Sequence, residues 1–523
     1  MSAHLLGSAL AALMFLSLCF VILSGIPVLF VLTGSAILFG ALGMLAGVLD
    51  PFLLRAIAQR IFGTMTSEVL VAIPLFVFMG IMLERSRIAE ELLEAMGRLF
   101  GRVRGGLAVS VSVVGALLAA STGIIGATVV TMGLMALPAM LRRGYDKSFA
   151  AGSICAAGTL GQIIPPSTVM VILGEVLSAA YQQAQLAQGK FTVETVSVGQ
   201  LFAGALFPGL ALVGLYVLYQ LARAWLDPRS APAIPAQELG RLRGRELFSV
   251  LVPPIVLIVA VLGSILGGIA TPTEAAAVGA VGATLLAARR SGGLAARLAP
   301  WAGLAAFALA LLGAAFDMRL GREQVPLPDR IAMAVAAILV LLLATGILAA
   351  LVRLARTGVL AGVAESTASI TAMIFATLLG ATLFALVFRG LGGEEVVREL
   401  LGALPGGELA ALLAVMAVMF LMGFVLDFVE ITIIVIPIVG PVLLGMGMDP
   451  IWLGVLIALN IQTSFLTPPF GFALFYLGGV APREVTSADI YRGIAPFVAL
   501  QLVALGIVVA FPGLATWLPS RLF

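Results

Sequence analysis

Long apolar runs dominate the chain, and short polar segments punctuate them. Residues 5 to 23, 27 to 48, 248 to 268 and 272 to 288 are such runs, each close to the roughly 17 to 25 residues that carry a helix across about 30 Å of hydrocarbon. The alternating strands of a membrane barrel, about ten residues each, do not appear. The pattern predicts an all-α polytopic membrane protein with about twelve crossings. The first run lacks a basic leader and a small-residue cleavage site, so it is read as a retained span.

Loop charge orients the spans. Arginines cluster at 98 to 104, at Arg142 and Arg143, at 241 to 245, at Arg289, Arg290 and Arg297, and at Arg353 and Arg356. The positive-inside rule makes these loops cytoplasmic and leaves the polar stretch 181 to 200 outside. Residues 107 to 141 lie between two inside loops, too long for one span and barred from an odd crossing. A re-entrant hairpin with its tip at "ASTGIIGAT" (120 to 128) satisfies both conditions, and such a tip belongs inside the bundle.

A frame shift of 303 positions, the separation of Pro165 from Pro468, also superposes Pro166 on Pro469, Pro138 on Pro441, Gly144 on Gly447 and Asp146 on Asp449. The turn of the first copy carries Arg142 and Arg143, and that of the second carries no base. The copies are therefore inverted, as in secondary transporters built around discontinuous helices. The second hairpin is expected at 408 to 446, with its tip near "GFVLDFVEIT" (423 to 432).

The two proline pairs then acquire a chemistry. A proline has no N–H for the carbonyl four residues earlier, so the carbonyls of Gly161 and Gln162, and of Ser464 and Phe465, are expected to lack helix partners. With the hydroxyls of Thr159, Thr463, Ser464 and Thr467 beside them, they form a candidate set of hard oxygen ligands for Na⁺ as the coupling ion. Each pair also starts a half-helix whose N-terminal N–H groups can face a carboxylate. Pro166, Ser167, Thr168 and Pro469 are therefore candidate substrate contacts, with Ser121, Thr122 and Gly123 at the first tip and Asp427 at the second. Asp427 and Glu430 are isolated acids in an apolar run, open to reading as a helix cap, a ligand or a proton carrier. Glu274 is expected to cap a helix after Thr271 or Thr273.

Composition narrows the function. The chain of 523 residues is 61% hydrophobic and 11% charged, with a mean hydropathy of +1.17. Neither Lys147 nor Lys190 sits in a phosphate-binding G-x-x-x-x-G-K-[ST] loop, which argues against an ATP-driven pump. The single histidine, His4, and the separated Cys19 and Cys155 offer no zinc site or disulfide framework. A gradient-driven transporter is the class that fits, not an enzyme.

The stretches "AIPLFVFMGIMLE" (72 to 84), "PAMLRRGYDKSFAAGSICAAGTLGQIIPPSTVMVILGE" (138 to 175), "GGIATPTEAAAVGA" (267 to 280), "ITAMIFATLLGATLF" (370 to 384) and "LNIQTSFLTPPFGFALFYLGGVAP" (459 to 482) together resemble the DctM-type large membrane subunit of tripartite ATP-independent periplasmic (TRAP) transporters. The last stretch is most similar to the mannitol/chloroaromatic or 2-oxo acid subgroup. The resemblance implies a bacterial inner-membrane Na⁺ symporter working by an elevator movement. It also implies a small four-helix membrane subunit (DctQ type) and a periplasmic binding protein (DctP type) that delivers an organic acid. The alternative is a self-sufficient ion-coupled anion permease of related inverted-repeat fold. The expected division is scaffold helices at 1–66, a first inverted repeat at 67–200 (broken helix about 148–180), scaffold at 201–297, an inserted helix pair at 298–356, a second repeat at 357–494 (broken helix about 451–480) and a C-terminal helix at 495–523. The inserted pair is additional to the family's common core, and its place away from both repeat copies suggests the periphery.

Overall fold

The computed structural model describes residues 3–122, 125–235, 244–319, 321–322 and 325–523. Among them every regular element is helical. Helices α1 (Ala3–Ile22) and α2 (Val28–Leu45) form an antiparallel start, and the shorter α3 (Arg55–Met65) and α4 (Ala72–Arg85) follow. Next comes α5 (Ile88–Phe100), a short helix with Glu90 and Glu91 in its first turn and Arg98 in its last, each charge matched to the helix dipole. Arg98 thus lies on a helix, not in the loop that the arginine clustering suggests.

The first hairpin follows as α6 (Gly106–Thr122) and α7 (Ile125–Arg142), and the first broken helix as α8 (Lys147–Thr159) and α9 (Thr168–Ala187). Three long helices come next, α10 (Val198–Leu226), α11 (Gly244–Leu266) and α12 (Pro272–Arg290). The helix pair expected as an insertion is α13 (Gly293–Ala315) with α14 (Leu327–Arg356), and α13 starts five residues before the sequence boundary of 298. After α15 (Val359–Gly390) and the short α16 (Gly393–Gly402) come the second hairpin, α17 (Gly407–Met422) with α18 (Phe428–Gly445), and the second broken helix, α19 (Pro450–Leu466) with α20 (Phe472–Val480). The chain closes with α21 (Ser487–Ala510) and the single turns α22 (Gly513–Thr516) and α23 (Pro519–Leu522). Ten helices among the described residues are long and apolar enough to cross a membrane, α7 and α18 included.

The duplication is written into local geometry. Both ends of α7 lie 303 positions before both ends of α18. Asp146 accepts a hydrogen bond from Phe149 N at 2.9 Å and caps α8; Asp449 accepts one from Trp452 N at 2.8 Å and caps α19. The match extends beyond the stretches that revealed it. A Cβ on Gly493 of α21 would meet the carbonyl of Ser148 on α8, and one on Gly204 of α10 would meet Ile451 on α19, the repeat equivalent of Ser148. Helices α10 and α21 therefore cross equivalent broken helices at equivalent places, each through a glycine that lets the two elements approach.

Packing interlocks the copies. The inner arm α18 lies along α9 of the first repeat, and α7 lies against α20 of the second. Each hairpin is thus held by the far half of the other copy's broken helix. On the scaffold side α12 packs against α4, where a Cβ on Gly279 would strike Met79. Its N-terminus carries the expected cap in reciprocal form: Thr271 N donates to Glu274 Oε2 at 2.8 Å and Glu274 N to Thr271 Oγ1 at 3.3 Å. The α13–α14 pair joins α12 through a separate alanine-rich cluster that includes Ala288, Ala299, Ala302 and Ala350.

Candidate transport site

Both broken helices stop where the prolines require. The first half ends at Thr159, continues as a 3₁₀ turn over Leu160–Gln162, and restarts at Thr168. The second ends at Leu466 and restarts at Phe472. The Pro165–Pro166 and Pro468–Pro469 bonds are both cis.

A cavity of about 150 Å³ lies between the restarts. Its wall takes Ile125 and Gly126 from the start of α7, Thr168 and Val169 from the start of α9, Asp427, Phe428 and Val429 from the start of α18, and Phe472 and Tyr476 from α20. Gln162 and Phe465 close it from the side of the first half-helices, and α4 and α15 face it with Val77, Ile370, Met373 and Ile374. Four helix N-termini therefore converge on one space, and each presents N–H groups and the positive end of its dipole. The start of α18 is already satisfied: Glu430 N donates to Asp427 Oδ1 at 2.7 Å, and Asp427 N donates to Glu430 Oε2 at 3.2 Å. Among the open readings of the two acids, this geometry is the reciprocal cap. The starts of α9 and α20 have no side-chain cap. The Oγ of Ser167, at the head of α9, is buried without a hydrogen-bond partner. Such a constellation is suited to an anion.

The opposite ends supply oxygen. Among the described residues no main-chain donor reaches the carbonyls of Gly161, Gln162 or Phe465. Ser464 departs from the sequence expectation, because Thr467 N donates to its carbonyl at 3.0 Å, an i+3 bond that tightens the last turn. The hydroxyls of Thr463, Thr467 and Ser464 donate to the carbonyls of Leu459 (2.7 Å), Thr463 (2.7 Å) and Phe420 (2.5 Å). Their protons are thus engaged and their lone pairs stay available. Gly423 allows the close approach of the second hairpin tip, since a Cβ there would collide with Ser464 Oγ.

Thr159 belongs elsewhere. Its Oγ1 donates to Ala156 O at 2.9 Å and accepts from Gln462 Nε2 and Gln501 Nε2, each at 3.4 Å. Gln501 Nε2 also donates to Tyr216 OH at 2.7 Å. All four side chains are fully buried. Sequence reasoning missed this cluster; its signal was the amides Asn460 and Gln462 inside the run "LNIQTSFL" and the lone Gln501 inside "FVALQLVAL". Pro166 and Pro469 do not line the cavity. Pro469 is exposed, and its carbonyl accepts from Tyr491 OH at 3.3 Å. Gly123 lies outside the described residues, as do the side chains of Ser121 and Thr122, whose backbone completes the last turn of α6.

Among the described residues no group of three or more His, Cys, Asp or Glu side chains could hold a metal. The candidate oxygens at the broken ends are neutral carbonyls and hydroxyls. Gly161, Gln162, Phe465 and the hydroxyls of α19 fit a small hard ion, and Thr159, its lone pairs facing donors, does not.

Comparison with known proteins agrees with this architecture. The family model for the tripartite ATP-independent periplasmic transporter, DctM component, matches residues 10–358 and 327–514. The C4-dicarboxylate TRAP transporter large permease protein DctM of Vibrio cholerae is 28% identical over 517 residues, 98% of each chain. The isethionate TRAP transporter permease protein DctMQ of Oleidesulfovibrio alaskensis is 26% identical over 473 residues, covering 88% of this chain and 59% of that longer one. Among solved structures, the YdaH transporter of Alcanivorax borkumensis superposes with a TM-score of 0.53 at 16% identity, over 90% of this chain and 91% of that one, a likeness of fold. The chain is a multi-pass membrane protein and belongs to the DctM family, the large permease component of TRAP transporters.

Proposed function

We propose that this chain is the permease of a Na⁺-driven importer of an organic acid, working in the bacterial inner membrane with a small four-helix subunit and a periplasmic binding protein. The observation that carries the reading is the polarity of the two broken helices. Their second halves turn uncapped N-termini toward one cavity, while their first halves end in carbonyls without main-chain partners. An anion at the N-termini and Na⁺ at the carbonyls would each lower the energy of the other's site. Relatives named for C4-dicarboxylate and isethionate transport support an acidic substrate. In this reading the hairpins and broken helices move together against the remaining helices, as an elevator.

The chemistry each residue would supply is limited and specific. The N–H groups at Thr168 and Phe472 would hold a carboxylate, with Ser167 Oγ as a further donor. Gly161, Gln162 and Phe465 would give carbonyl oxygens to Na⁺, and Thr463, Ser464 and Thr467 their hydroxyl lone pairs. Ser121, Thr122 and Gly123 would be additional substrate contacts.

The test is uptake into proteoliposomes holding the chain and its small subunit, with the binding protein outside and radiolabelled C4-dicarboxylates and 2-oxo acids as probes. An inward Na⁺ gradient should drive accumulation only when the binding protein is present. Accumulation that ignores the Na⁺ gradient would overturn the coupling, and accumulation without the binding protein would make the chain a self-sufficient permease.

A further inference from the structure

A second, larger cleft of about 530 Å³ opens above the central cavity and shares its walls. Three helices run through both. Helix α9 lines the cavity with Thr168 and the cleft with Glu175 and Gln183; α18 gives Val429 to the one and Ile433 to the other. Helix α15 passes from Ile374 in the cavity to Arg389 at the far end of the cleft, a rise of about 22 Å at 1.5 Å per residue. The far end lies with the end of α9, where Gln188 Nε2 donates to Gly445 O at 3.0 Å. Loop charge assigns both of those segments to the outside.

The mouth is positive. Arg60 of α3 and Arg389 of α15 both line it, close enough for their charges to repel. Arg389 is tethered: Nη2 donates to Gln183 Oε1 at 2.5 Å, and Nε lies 3.5 Å from Glu394 Oε2. Glu394 is shared with Arg398, at 3.3 Å. The guanidinium of Arg60 makes no ion pair or hydrogen bond among the described residues. Among the described residues the only acid in the lining is Glu175, seven residues beyond the start of α9 and hydrogen-bonded by Ser67 Oγ at 3.2 Å. Two cations held together at the mouth of a cleft with low-dielectric walls focus a positive potential into it.

We propose that this cleft is an outer anion vestibule, in which Arg60 and Arg389 collect a small organic carboxylate before it reaches the helix N-termini below. The inference rests on the reading of the chain as an importer of organic acids, and its test does not require transport. Arg389 is fixed by Gln183 on α9, so the vestibule mouth and the substrate helix share one polar contact. Arg60, on the amphipathic α3 with no buried residue, is the adaptable member of the pair.

The experiment uses the full chain in right-side-out membrane vesicles, with Cys19 and Cys155 replaced by alanine and Thr64→Cys introduced on the cleft wall. Two thiol reagents serve as probes, the anionic methanethiosulfonate ethylsulfonate and the cationic methanethiosulfonate ethyltrimethylammonium. With each rate normalised to a free thiol, the anion should react about 10-fold faster than the cation, the low end of what a charged cleft gives. Arg60→Gln should remove most of that preference, and Arg60→Lys should keep it. A cysteine at the fully exposed Phe191 should show no preference in any background. Equal normalised rates at Thr64→Cys would overturn the proposal. So would a preference unchanged by Arg60→Gln combined with Arg389→Gln, or no reaction with either reagent. Anion preference in a protein that fails the uptake test would leave the vestibule standing and remove the transport reading. Uptake without anion preference would do the reverse.

Discussion

Gln462 Nε2 lies 3.4 Å from Thr159 Oγ1, and the two residues are 303 positions apart. That separation is the repeat offset itself, so the pair are equivalent positions of the two copies and touch each other. Equivalent points can meet only near the axis that relates the copies. The axis therefore passes through a buried polar cluster, completed by Gln501 and Tyr216.

The cluster can be dissected by a double-mutant cycle. Gln501→Leu leaves Tyr216 OH buried without its donor, a loss of about 1–3 kcal/mol, and should lower the thermal midpoint in detergent. Tyr216→Phe should cost less, since Gln501 Nε2 keeps Thr159 Oγ1 as an acceptor at 3.4 Å. The double variant should be less destabilised than the sum of the two, because both act on one interaction. Additive midpoints would mean that the hydrogen bond contributes nothing.

Glycines on one helix should respond in opposite directions. Gly493→Ala drives a Cβ into the Ser148 carbonyl, and overpacking of this kind costs about 1–3 kcal/mol or more. Gly506, also on α21, has nothing within 4 Å of the added Cβ, so Gly506→Ala should stabilise by about 0.5–1 kcal/mol. Thermal unfolding of the two variants side by side checks the crossing of α21 with α8. An equal response would deny it.

Asp427 accepts the Glu430 N–H at 2.7 Å, a bond that asparagine can also accept. Asp427→Asn should keep both the thermal midpoint and Na⁺-driven uptake. Asp427→Ala should cost about 0.5–2 kcal/mol and reduce uptake through a frayed α18. A negative side chain gains nothing from facing a carboxylate substrate, so its charge is not expected to matter. Uptake abolished by Asp427→Asn in a normally folded protein would assign the charge a direct part in coupling.

Replacing Pro165 and Pro166 together by alanine returns two N–H donors to the stretch following Gly161 and Gln162. With those carbonyls occupied, Na⁺-dependent uptake should disappear while the chain still inserts and extracts as a folded species. Retained uptake would remove the carbonyls of Gly161 and Gln162 from the cation site.

The hairpins and the two breaks were legible in the chain because prolines, glycines and arginines punctuate it there, and a 35-residue apolar stretch between two inside loops admits few solutions. Helices α5 and α16 were not read. Each is short and amphipathic, with as many charges as a loop, and carries no run long enough to count as a span. The participation of Thr159 in a donor-rich cluster was equally hidden, since it depends on Gln462 and Gln501, which approach only after the copies fold together. At Ser464 the proline rule accounted for the missing donors but not for the i+3 bond from Thr467, a local tightening that helix ends adopt freely.

The two acids that cap the head of α18 have no counterparts in the sequence of the first copy. Where the second copy has Asp427 and Glu430, the first has Ile124 and Ala127. If the cycle proceeds by the copies trading shapes, its two resting positions are then not mirror images in energy. One tip carries a carboxylate cap with it through the cycle and the other has apolar side chains at those positions, so the empty protein should dwell unequally at the two faces.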